Sequence, residues 1–362
     1  MSRDNNLRDF LIRWHTIIQA EEENENSKKE KPSLKNKKKR KRKQYILAPS
    51  INNLESLIEI GMTRIPYSNI NYEILWNILP ELNELNNLIG MNQLKQSIFY
   101  QIIYYLQDLH KQSNDEYLHT VIFGPPGCGK TTVAKILGNI YRKMKILSTN
   151  KDIFKIAKRE DFVGEYLGHT ATKTKKLLNS CKGGVLFIDE AYSLGPGQKD
   201  KDSFSKEAID TLNVFLSEHK HEFCCILAGY EKEIKKCFFS VNQGLERRFQ
   251  WIHRIEEYTS KDLAEMVLQK IKEIKWHTTL TKKKLMNIIK ENEDLFKNIG
   301  GDVENLISKS KMIHARRVFN LDIKHRFMLN QDDILKGIEI MKDNKMKKED
   351  NSTKNLLNHM YV

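Results

Sequence analysis

A glycine-rich octapeptide, Gly124-Pro125-Pro126-Gly127-Cys128-Gly129-Lys130-Thr131, has the residue types that bind a triphosphate. It fits the pattern G-x-x-x-x-G-K-[ST], follows an apolar run and precedes a helical pattern that begins at Val133, and its eight residues together with Thr132 are predicted to bind the nucleotide. Glycines let successive backbone amides face phosphate oxygens, and the helix adds the positive end of its dipole. We expect Lys130 to reach the β and γ phosphates and the Thr131 hydroxyl to ligate a Mg²⁺ that bridges them. The loop therefore predicts ATP and Mg²⁺ as cofactors.

Two adjacent carboxylates follow a second apolar run. Residues 185 to 188 are continuously apolar, which indicates a strand buried on both faces, and Asp189 and Glu190 come directly after it. Ligands of parallel sheets bind at the carboxyl ends of strands, so both acids are predicted to lie beside the glycine-rich loop. We expect Asp189 to hold the Mg²⁺ and Glu190 to orient and polarise the attacking water. The alternative is that the two acids cap a helix.

The elements around these motifs alternate between strand and helix. Apolar runs at 120 to 123, 185 to 188 and 224 to 228 predict strands, and residues 205 to 216 predict an amphipathic helix between the last two. The alternation predicts an α/β fold with a doubly wound parallel sheet. Residues 260 to 345 carry mainly helical patterns.

Composition limits the class of protein. The chain has 362 residues, enough for a full α/β core with smaller modules, and a net charge of +14. Its five cysteines form no C-x-x-C pair, no signal peptide is recognisable, and no apolar run reaches the about 18 residues of a membrane span. We expect a soluble intracellular protein of the cytoplasm or nucleus, with no membrane partner.

The first 87 residues divide into three predicted segments. Residues 1–19 form an amphipathic helix, which docks on this chain or a second copy, or else binds a separate partner. Residues 20–44 are too polar to offset the entropy of ordering and are predicted to be disordered. Within them, residues 28 to 43 hold eleven Lys/Arg and one Glu, a net +10, and the run Lys37 to Lys43 is a linker, a nuclear signal or a nucleic-acid contact. Residues 45–87 are predicted to be a helical adapter.

The motifs together resemble a known family. Residues 88–255 resemble an AAA+ ATPase domain of the P-loop NTPase class. The runs 161 to 174, 187 to 194 and 227 to 230 are similar to those of red-type rubisco activases and of uncharacterised AAA+ proteins of large DNA viruses. For such a viral protein the compartment would be the host cell. The resemblance implies that residues 256–345 are a helical lid domain, and residues 346–362 are predicted to be a loose tail.

The resemblance also implies a homo-oligomeric ring, usually a hexamer, with each ATP at a subunit boundary. The segment 244 to 249 matches the position of the arginine finger, for which Arg248 is the first candidate and Arg247 the second. Such a guanidinium from the neighbouring subunit would stabilise charge on the γ phosphate during transfer. The alternative for this arginine pair is ordinary surface charge.

Three further positions follow from the resemblance. Tyr166 and Leu167 match the aromatic-aliphatic pair that grips a polypeptide in the central pore, although a tyrosine at a helix start can also be a core residue. Tyr230 occupies the sensor position after the third strand. The stretch 300 to 305 contains no arginine where many members carry a nucleotide-contacting one, which leaves the lid's role in hydrolysis open.

Cys128 replaces a more usual threonine in the glycine-rich loop. Because a helix N-terminus favours thiolate, we expect alkylation of Cys128 to block ATP binding.

The sequence predicts an ATP-driven ring that remodels a protein client. An ATP-driven nucleic-acid machine that uses residues 28 to 43 is the alternative. A nucleotide-dependent switch with negligible hydrolysis is disfavoured by Glu190.

Overall fold

The computed structural model describes residues 46–112, 116–147, 149, 151–166, 168–196 and 202–360, with side chains as far as residue 347. The predicted N-terminal helix, the run Lys37 to Lys43 and Leu167 lie outside these residues. Among the described residues, no helix is long and apolar enough to cross a membrane.

A five-stranded parallel sheet forms the centre of the fold. Its strands pair in the order β2-β3-β4-β1-β5, which confirms the predicted doubly wound α/β class. The two strands that the sequence did not reveal, β2 and β5, lie at the edges, where Ile156 and Ile252 remain 43% and 40% exposed and polar residues interrupt the apolar pattern. The strands are β1 (Thr120–Phe123), β2 (Phe154–Ala157), β3 (Val185–Ile188), β4 (Cys224–Gly229) and β5 (Trp251–Arg254).

Helices cover both faces of the sheet because successive strand residues point to opposite sides. In β3, Phe187 packs in one hydrophobic cluster and Leu186 in the other, and both are fully buried. The helices before and within this part of the chain are α1 (Leu54–Met62), α2 (Tyr72–Asn87), α3 (Asn92–Leu106), α4 (Lys130–Met144), α5 (Arg159–Phe162), α6 (His169–Asn179) and α7 (Ser203–Glu218). Short helical turns include Leu109–Lys111, Ala191–Leu194, Glu231–Glu233, Ile234–Phe238, Phe239–Val241 and Glu246–Arg248.

The predicted adapter is helical and belongs to the same core as the sheet. Leu57, Ile78 and Leu82 are fully buried in the cluster that also contains the inner face of α4. Glu81 on α2 is 8% exposed and pairs with Nζ of Lys143 on α4 at 2.6 Å. The adapter therefore packs directly on the helix that follows the glycine-rich loop.

The C-terminal region is helical, as predicted for a lid. It contains α8 (Ser260–Glu273), α9 (Lys282–Lys290), α10 (Gly300–Val318) and α11 (Gln331–Met360), with short turns at Glu293–Leu295 and Ile323–His325. Two short strands, β6 (His277–Thr278) and β7 (Met328–Leu329), pair in parallel within this region. The buried Asp333 carboxylate joins α11 to α10 by accepting two hydrogen bonds from Arg317, at 2.9 and 2.8 Å.

One predicted segment differs in the structure. The tail from residue 346 was expected to be loose, but α11 continues through Met360. The chain has no glycine or proline after Gly337, and Lys, Glu, Leu and Met are good helix formers, so the helix propensity of the tail outweighs its polarity.

Candidate functional site

The glycine-rich loop lies between β1 and α4, with its lysine directed back over it. Gly127 and Gly129 have φ of +68° and +92°, the left-handed region that glycine enters without strain. Lys130, only 6% exposed, begins α4 and donates from Nζ to the carbonyls of Gly124 at 3.1 Å and Pro125 at 2.9 Å. The ammonium group therefore lies inside the loop, where incoming phosphate oxygens would replace the two carbonyls as its acceptors.

The structure brings the carboxylate after β3 to the threonine of the loop. Thr131 Oγ1 donates to Asp189 Oδ2 at 2.7 Å, although the two residues are 58 positions apart. A hydroxyl and a carboxylate at this separation are hard oxygen ligands of the kind that Mg²⁺ prefers, and its remaining positions are commonly filled by phosphate oxygens and water. The residues present therefore fit a phosphate-bridging Mg²⁺ with Thr131 and Asp189 as its protein contacts.

Glu190 occupies an unusual backbone conformation at the same site. Its φ of +50° and ψ of +46° are left-handed, which costs a non-glycine residue about 1–2 kcal/mol and persists only where surrounding contacts enforce it. Burial raises the pKa of the Glu190 carboxyl, Lys130 opposes the rise, and Asp189 adds to it. A carboxylate with a raised pKa is a better proton acceptor at neutral pH than an ordinary glutamate.

Two adjoining cavities share the glycine-rich loop. The first, of about 380 Å³, is lined by Lys130, Thr131, Asp189, Glu190 and Tyr230 together with loop backbone. The second, of about 340 Å³, runs between the sheet domain and the lid and has a largely apolar lining. That lining includes Leu88, Ile89, Met91, Tyr258, Met266 and Val303. A charged cavity joined to an apolar one matches the two ends of a nucleotide, its phosphates and its base.

The lid touches the loop directly. The backbone amide of Gly300, at the start of α10, donates to the carbonyl of Gly127 at 3.2 Å. A Cβ atom on Gly127 would lie 2.1 Å from the carbonyl oxygen of Asn298, so this approach requires glycine. The lid stretch 300 to 305 presents backbone and Glu304 to the first cavity, and it offers no arginine.

Tyr230 lies between the lysine and Glu190. Lys130 Nζ is 4.6 Å from the centroid of its ring, and the ring stacks on Tyr192 at 5.3 Å with an interplanar angle of 20°. Burial, followed by the nearby charge of Glu190, raises the pKa of the Tyr230 hydroxyl, which therefore stays protonated and can donate. Its predicted sensor role remains a prediction, and the structure places the residue where such a role is possible.

The two candidate finger arginines differ in their contacts. Arg248 donates from Nε and Nη2 to Ser217 Oγ at 2.8 and 2.6 Å and from Nη1 to the Gly244 carbonyl, and its guanidinium lies 5.8 Å from the Tyr117 ring. Arg247 is exposed. Both lie on the turn Glu246–Arg248 that precedes edge strand β5, so a finger role for Arg248 would require exchange of these bonds for contacts to a neighbouring subunit.

The predicted pore residue Tyr166 is 67% exposed, on the segment between α5 and α6. Its ring meets that of His169 edge to face, at 5.7 Å between centroids. The interpretation of Tyr166 as a buried helix-start residue is therefore wrong, while its partner Leu167 lies outside the described residues.

The thiolate expected at Cys128 is not supported, while the effect of its alkylation on ATP binding stays a prediction. The thiol is 2% exposed, and burial raises its pKa despite the nearby Lys130. A Cβ on Gly124 would lie 2.6 Å from its sulfur, which shows how closely the loop wraps it. The thiol packs in the hydrophobic core cluster, and its desolvation outweighs the helix dipole and the nearby Lys130.

Two tyrosines of the site were missed by sequence reasoning. Tyr192 lies two residues after Glu190, inside a matched motif, but its stacking on Tyr230 is a tertiary contact. Tyr258 donates from its hydroxyl to the Cys128 carbonyl at 3.0 Å across 130 residues. The only local signal was its place just before the Thr259 cap of α8.

Comparisons with known proteins agree with this geometry. The family described as "ATPase family associated with various cellular activities (AAA)" matches residues 120–255. A putative CfxQ-like protein of Acanthamoeba polyphaga mimivirus is 42% identical over 74% of this chain and 66% of its own length. The chloroplastic ribulose bisphosphate carboxylase/oxygenase activase of Cyanidioschyzon merolae is 32% identical over 60% of this chain and 71% of its own length.

Among solved structures, the FIGL-1 AAA domain in complex with ADP superposes with a TM-score of 0.53 at 17% identity. The superposition covers 70% of this chain and 83% of the FIGL-1 chain, and at this identity it supports the fold alone. The residues that match the family include the glycine-rich loop and both acids after β3. The parallel sheet with the strand order β2-β3-β4-β1-β5 carries both motifs. The chain therefore belongs to the AAA family of ATPases.

Proposed function

We propose that this protein hydrolyses ATP in a Mg²⁺-dependent reaction, assembles into a ring, and couples turnover to remodelling of a protein client. The single observation that carries the ATPase proposal is the convergence of Thr131, Asp189 and Glu190 on one cavity beside Lys130. Asp189 and Glu190 follow the end of β3, and Lys130 and Thr131 follow the loop after β1, at the edge where a parallel sheet binds its ligands.

The chain's residues divide the chemistry between them. Loop amides and Lys130 bind the phosphates, and Thr131 and Asp189 would hold the Mg²⁺, which neutralises developing charge when bound. Glu190 accepts a hydrogen bond from the attacking water and polarises it toward the γ phosphate. The ring of Tyr230 packs against the Lys130 ammonium, which lies 4.6 Å from the ring centroid.

A ring, usually a hexamer in this family, would complete the site with Arg248 from the next subunit. The position of this residue on an exposed turn beside an edge strand supports a contact between subunits. Closed rings use head-to-tail interfaces, so each boundary would combine Glu190 of one subunit with Arg248 of another.

A protein client is supported by the exposed Tyr166 and by its firmly held base. Lys173 Nζ donates to the carbonyls of Glu160 at 2.7 Å and Val163 at 2.9 Å, and Thr174 Oγ1 donates to the Phe162 carbonyl at 3.0 Å. These bonds fix both ends of α5, so the aromatic ring extends from a rigid support. One relative is named as an activase of another enzyme, which is consistent with a protein client.

A concentration series of ATP turnover tests assembly and catalysis together. We expect turnover per subunit to rise with protein concentration and to depend on Mg²⁺. An unfolded polypeptide such as casein should stimulate ATP turnover. Tyr166→Ala should abolish this stimulation and leave basal turnover intact, and Tyr166→Phe should keep the stimulation. Unchanged stimulation in Tyr166→Ala would refute the pore mechanism, and absence of turnover at every concentration would refute the ATPase proposal.

The second candidate is a nucleic-acid machine, favoured by the net +10 of residues 28 to 43. Binding through phosphates would weaken steeply with salt. Single-stranded DNA would then replace casein as the stimulating polymer, and replacement of the Lys/Arg of 37 to 43 by glutamine would remove the effect. The same replacement tests whether the run directs the protein to the nucleus.

A further inference from the structure

The side chain of Arg159 contacts the turn that follows Glu190 from another segment of the chain. Ser193 N donates to the Glu190 carbonyl at 2.8 Å and closes the turn Ala191–Leu194, and Arg159 Nη1 donates to the Ser193 carbonyl at 2.7 Å. The Ser193 carbonyl lies at the end of a short helical turn, where no amide of the turn donates to it, so the guanidinium supplies its hydrogen-bond donor. Because Glu190 has a left-handed backbone, its orientation depends on contacts of this kind.

Arg159 joins this turn to two other segments. The same Nη1 donates to Ser205 Oγ at 2.6 Å, and Nη2 pairs with the Asp202 carboxylate. Asp202 in turn caps α7 by accepting from Ser205 N at 3.2 Å. Burial alone would raise the pKa of Asp202, but hydrogen bonds from Ser205 and Arg159 outweigh it and lower the pKa, so the pair is ionised at neutral pH.

Arg159 is also the first residue of α5, the helix that leads into the segment carrying Tyr166. Arg159 therefore links α5, through its own backbone, to the start of α7 and to the turn that follows Glu190, both of which its guanidinium contacts. Arg159 and Glu190 line one open cavity, of about 840 Å³, together with Lys158, Lys173 and Asp189. Among the described residues, Arg159 makes no hydrogen bond to the Glu190 carboxylate. We therefore expect Arg159 to influence hydrolysis through the backbone of the turn.

We propose that Arg159 is a positioning residue for Glu190: it holds the turn Ala191–Leu194 so that the carboxylate faces the phosphate cavity. This proposal rests on the proposed ATPase function and extends it to a residue that would contact neither the nucleotide nor the attacking water. A planar guanidinium suits this task because it reaches the Ser193 carbonyl and Ser205 from Nη1 and Asp202 from Nη2, whereas lysine presents a single nitrogen.

The test compares Arg159→Ala, Arg159→Lys and a matched control in steady-state ATP turnover and nucleotide binding. We expect Arg159→Ala to lower kcat about ten-fold or more, since a misplaced catalytic group costs up to about 10²-fold, and to leave the KM and the affinity for ATP unchanged. Arg159→Lys should recover part of the loss. The control is Arg142→Ala, which removes another Arg–Asp pair, formed with Asp152 at 2.8 Å. The side chain of Arg142 is 28% exposed, compared with 36% for Arg159. This control should not change kcat.

A double variant separates positioning from a general structural effect. If Arg159 acts through Glu190, Arg159→Ala should add no further loss in a Glu190→Gln background. An equal loss in both backgrounds, a fall in ATP affinity that matches the fall in kcat, or an unchanged kcat in Arg159→Ala would each overturn the proposal. Thermal melting of each variant checks that it is folded. Wild-type protein without turnover would instead refute the ATPase function itself, so the two failures are distinguishable.

Discussion

The strongest test of the proposed ring concerns Arg248, whose contacts in the isolated chain compete with a role between subunits. Arginine fingers contribute about 10³–10⁵ to kcat, equivalent to about 4–7 kcal/mol. The bonds that Arg248 makes to Ser217 and Gly244 are half-exposed, and their loss costs about 1–3 kcal/mol in total because water replaces them. If Arg248 is the finger, its stabilisation of the transition state would exceed the cost of breaking these intramolecular bonds, so most of the gain in rate would remain after the exchange.

This difference in free energy predicts opposite results for two neighbouring variants. Arg248→Ala should keep ATP binding and lower kcat about 10³-fold or more, even at high protein concentration. Ser217→Ala releases the guanidinium without removing it, so kcat should remain within a few-fold of wild type or rise. If Arg248 has only a structural role, both variants should lose similar stability and similar activity, and Arg247→Ala should then be examined as the finger.

Mixing two inactive variants tests whether the arginine acts between subunits. In a head-to-tail ring, a boundary formed by an Arg248→Ala subunit and a Glu190→Gln subunit can combine an intact Glu190 with an intact Arg248. Random mixing in equal amounts should therefore restore about a quarter of the boundaries. ATP turnover is measured before and after mixing, and failure to recover any activity, with ring assembly verified by light scattering, would refute the reasoning.

Four other predictions follow from the contacts of single residues. Lys130→Ala should lower the affinity for ATP about 10²-fold or more, because a charge-assisted hydrogen bond to phosphate is worth about 1.5–3 kcal/mol and the lysine is expected to reach two phosphates. Titration with a fluorescent nucleotide measures this affinity. Because Glu190 is proposed to act as a carboxylate and its pKa is raised, kcat/KM measured against pH with saturating Mg²⁺ should begin to fall on the acid side at a pH above the ordinary 4.5 of glutamate. A profile that stays flat down to that pH would contradict the assignment. Cys128 should resist iodoacetamide in the folded protein, with labelling followed by mass spectrometry, and rapid stoichiometric labelling would show that the thiol is accessible. Asp333→Asn should lower the free energy of unfolding, measured in urea, by about 3 kcal/mol, because it leaves Arg317 without its buried carboxylate. Folding lowers the pKa of Asp333, so the stability that its carboxylate contributes is present above the unfolded pKa. This contribution is lost as the pH falls through the lower folded pKa.

The sequence alone determined the central chemistry, because that chemistry depends on local patterns. The glycine-rich loop needs its residues in consecutive positions, and the acids follow a strand recognisable by its continuous apolar run. Once alternation of strand and helix implied a parallel sheet, the rule that ligands bind at strand ends placed Thr131 near Asp189, a separation the structure gives as 2.7 Å.

Only the tertiary structure decided which side chains are free and which are held. Cys128 has the sequence position of a reactive thiol, but its pKa and exposure are set by packing against the core. The stacking of Tyr192 on Tyr230 and the Arg159 contact to Ser193 join segments that have no local relation in the sequence. Contacts of this kind depend on where the folded chain brings residues together, and that is not encoded in any single stretch of it.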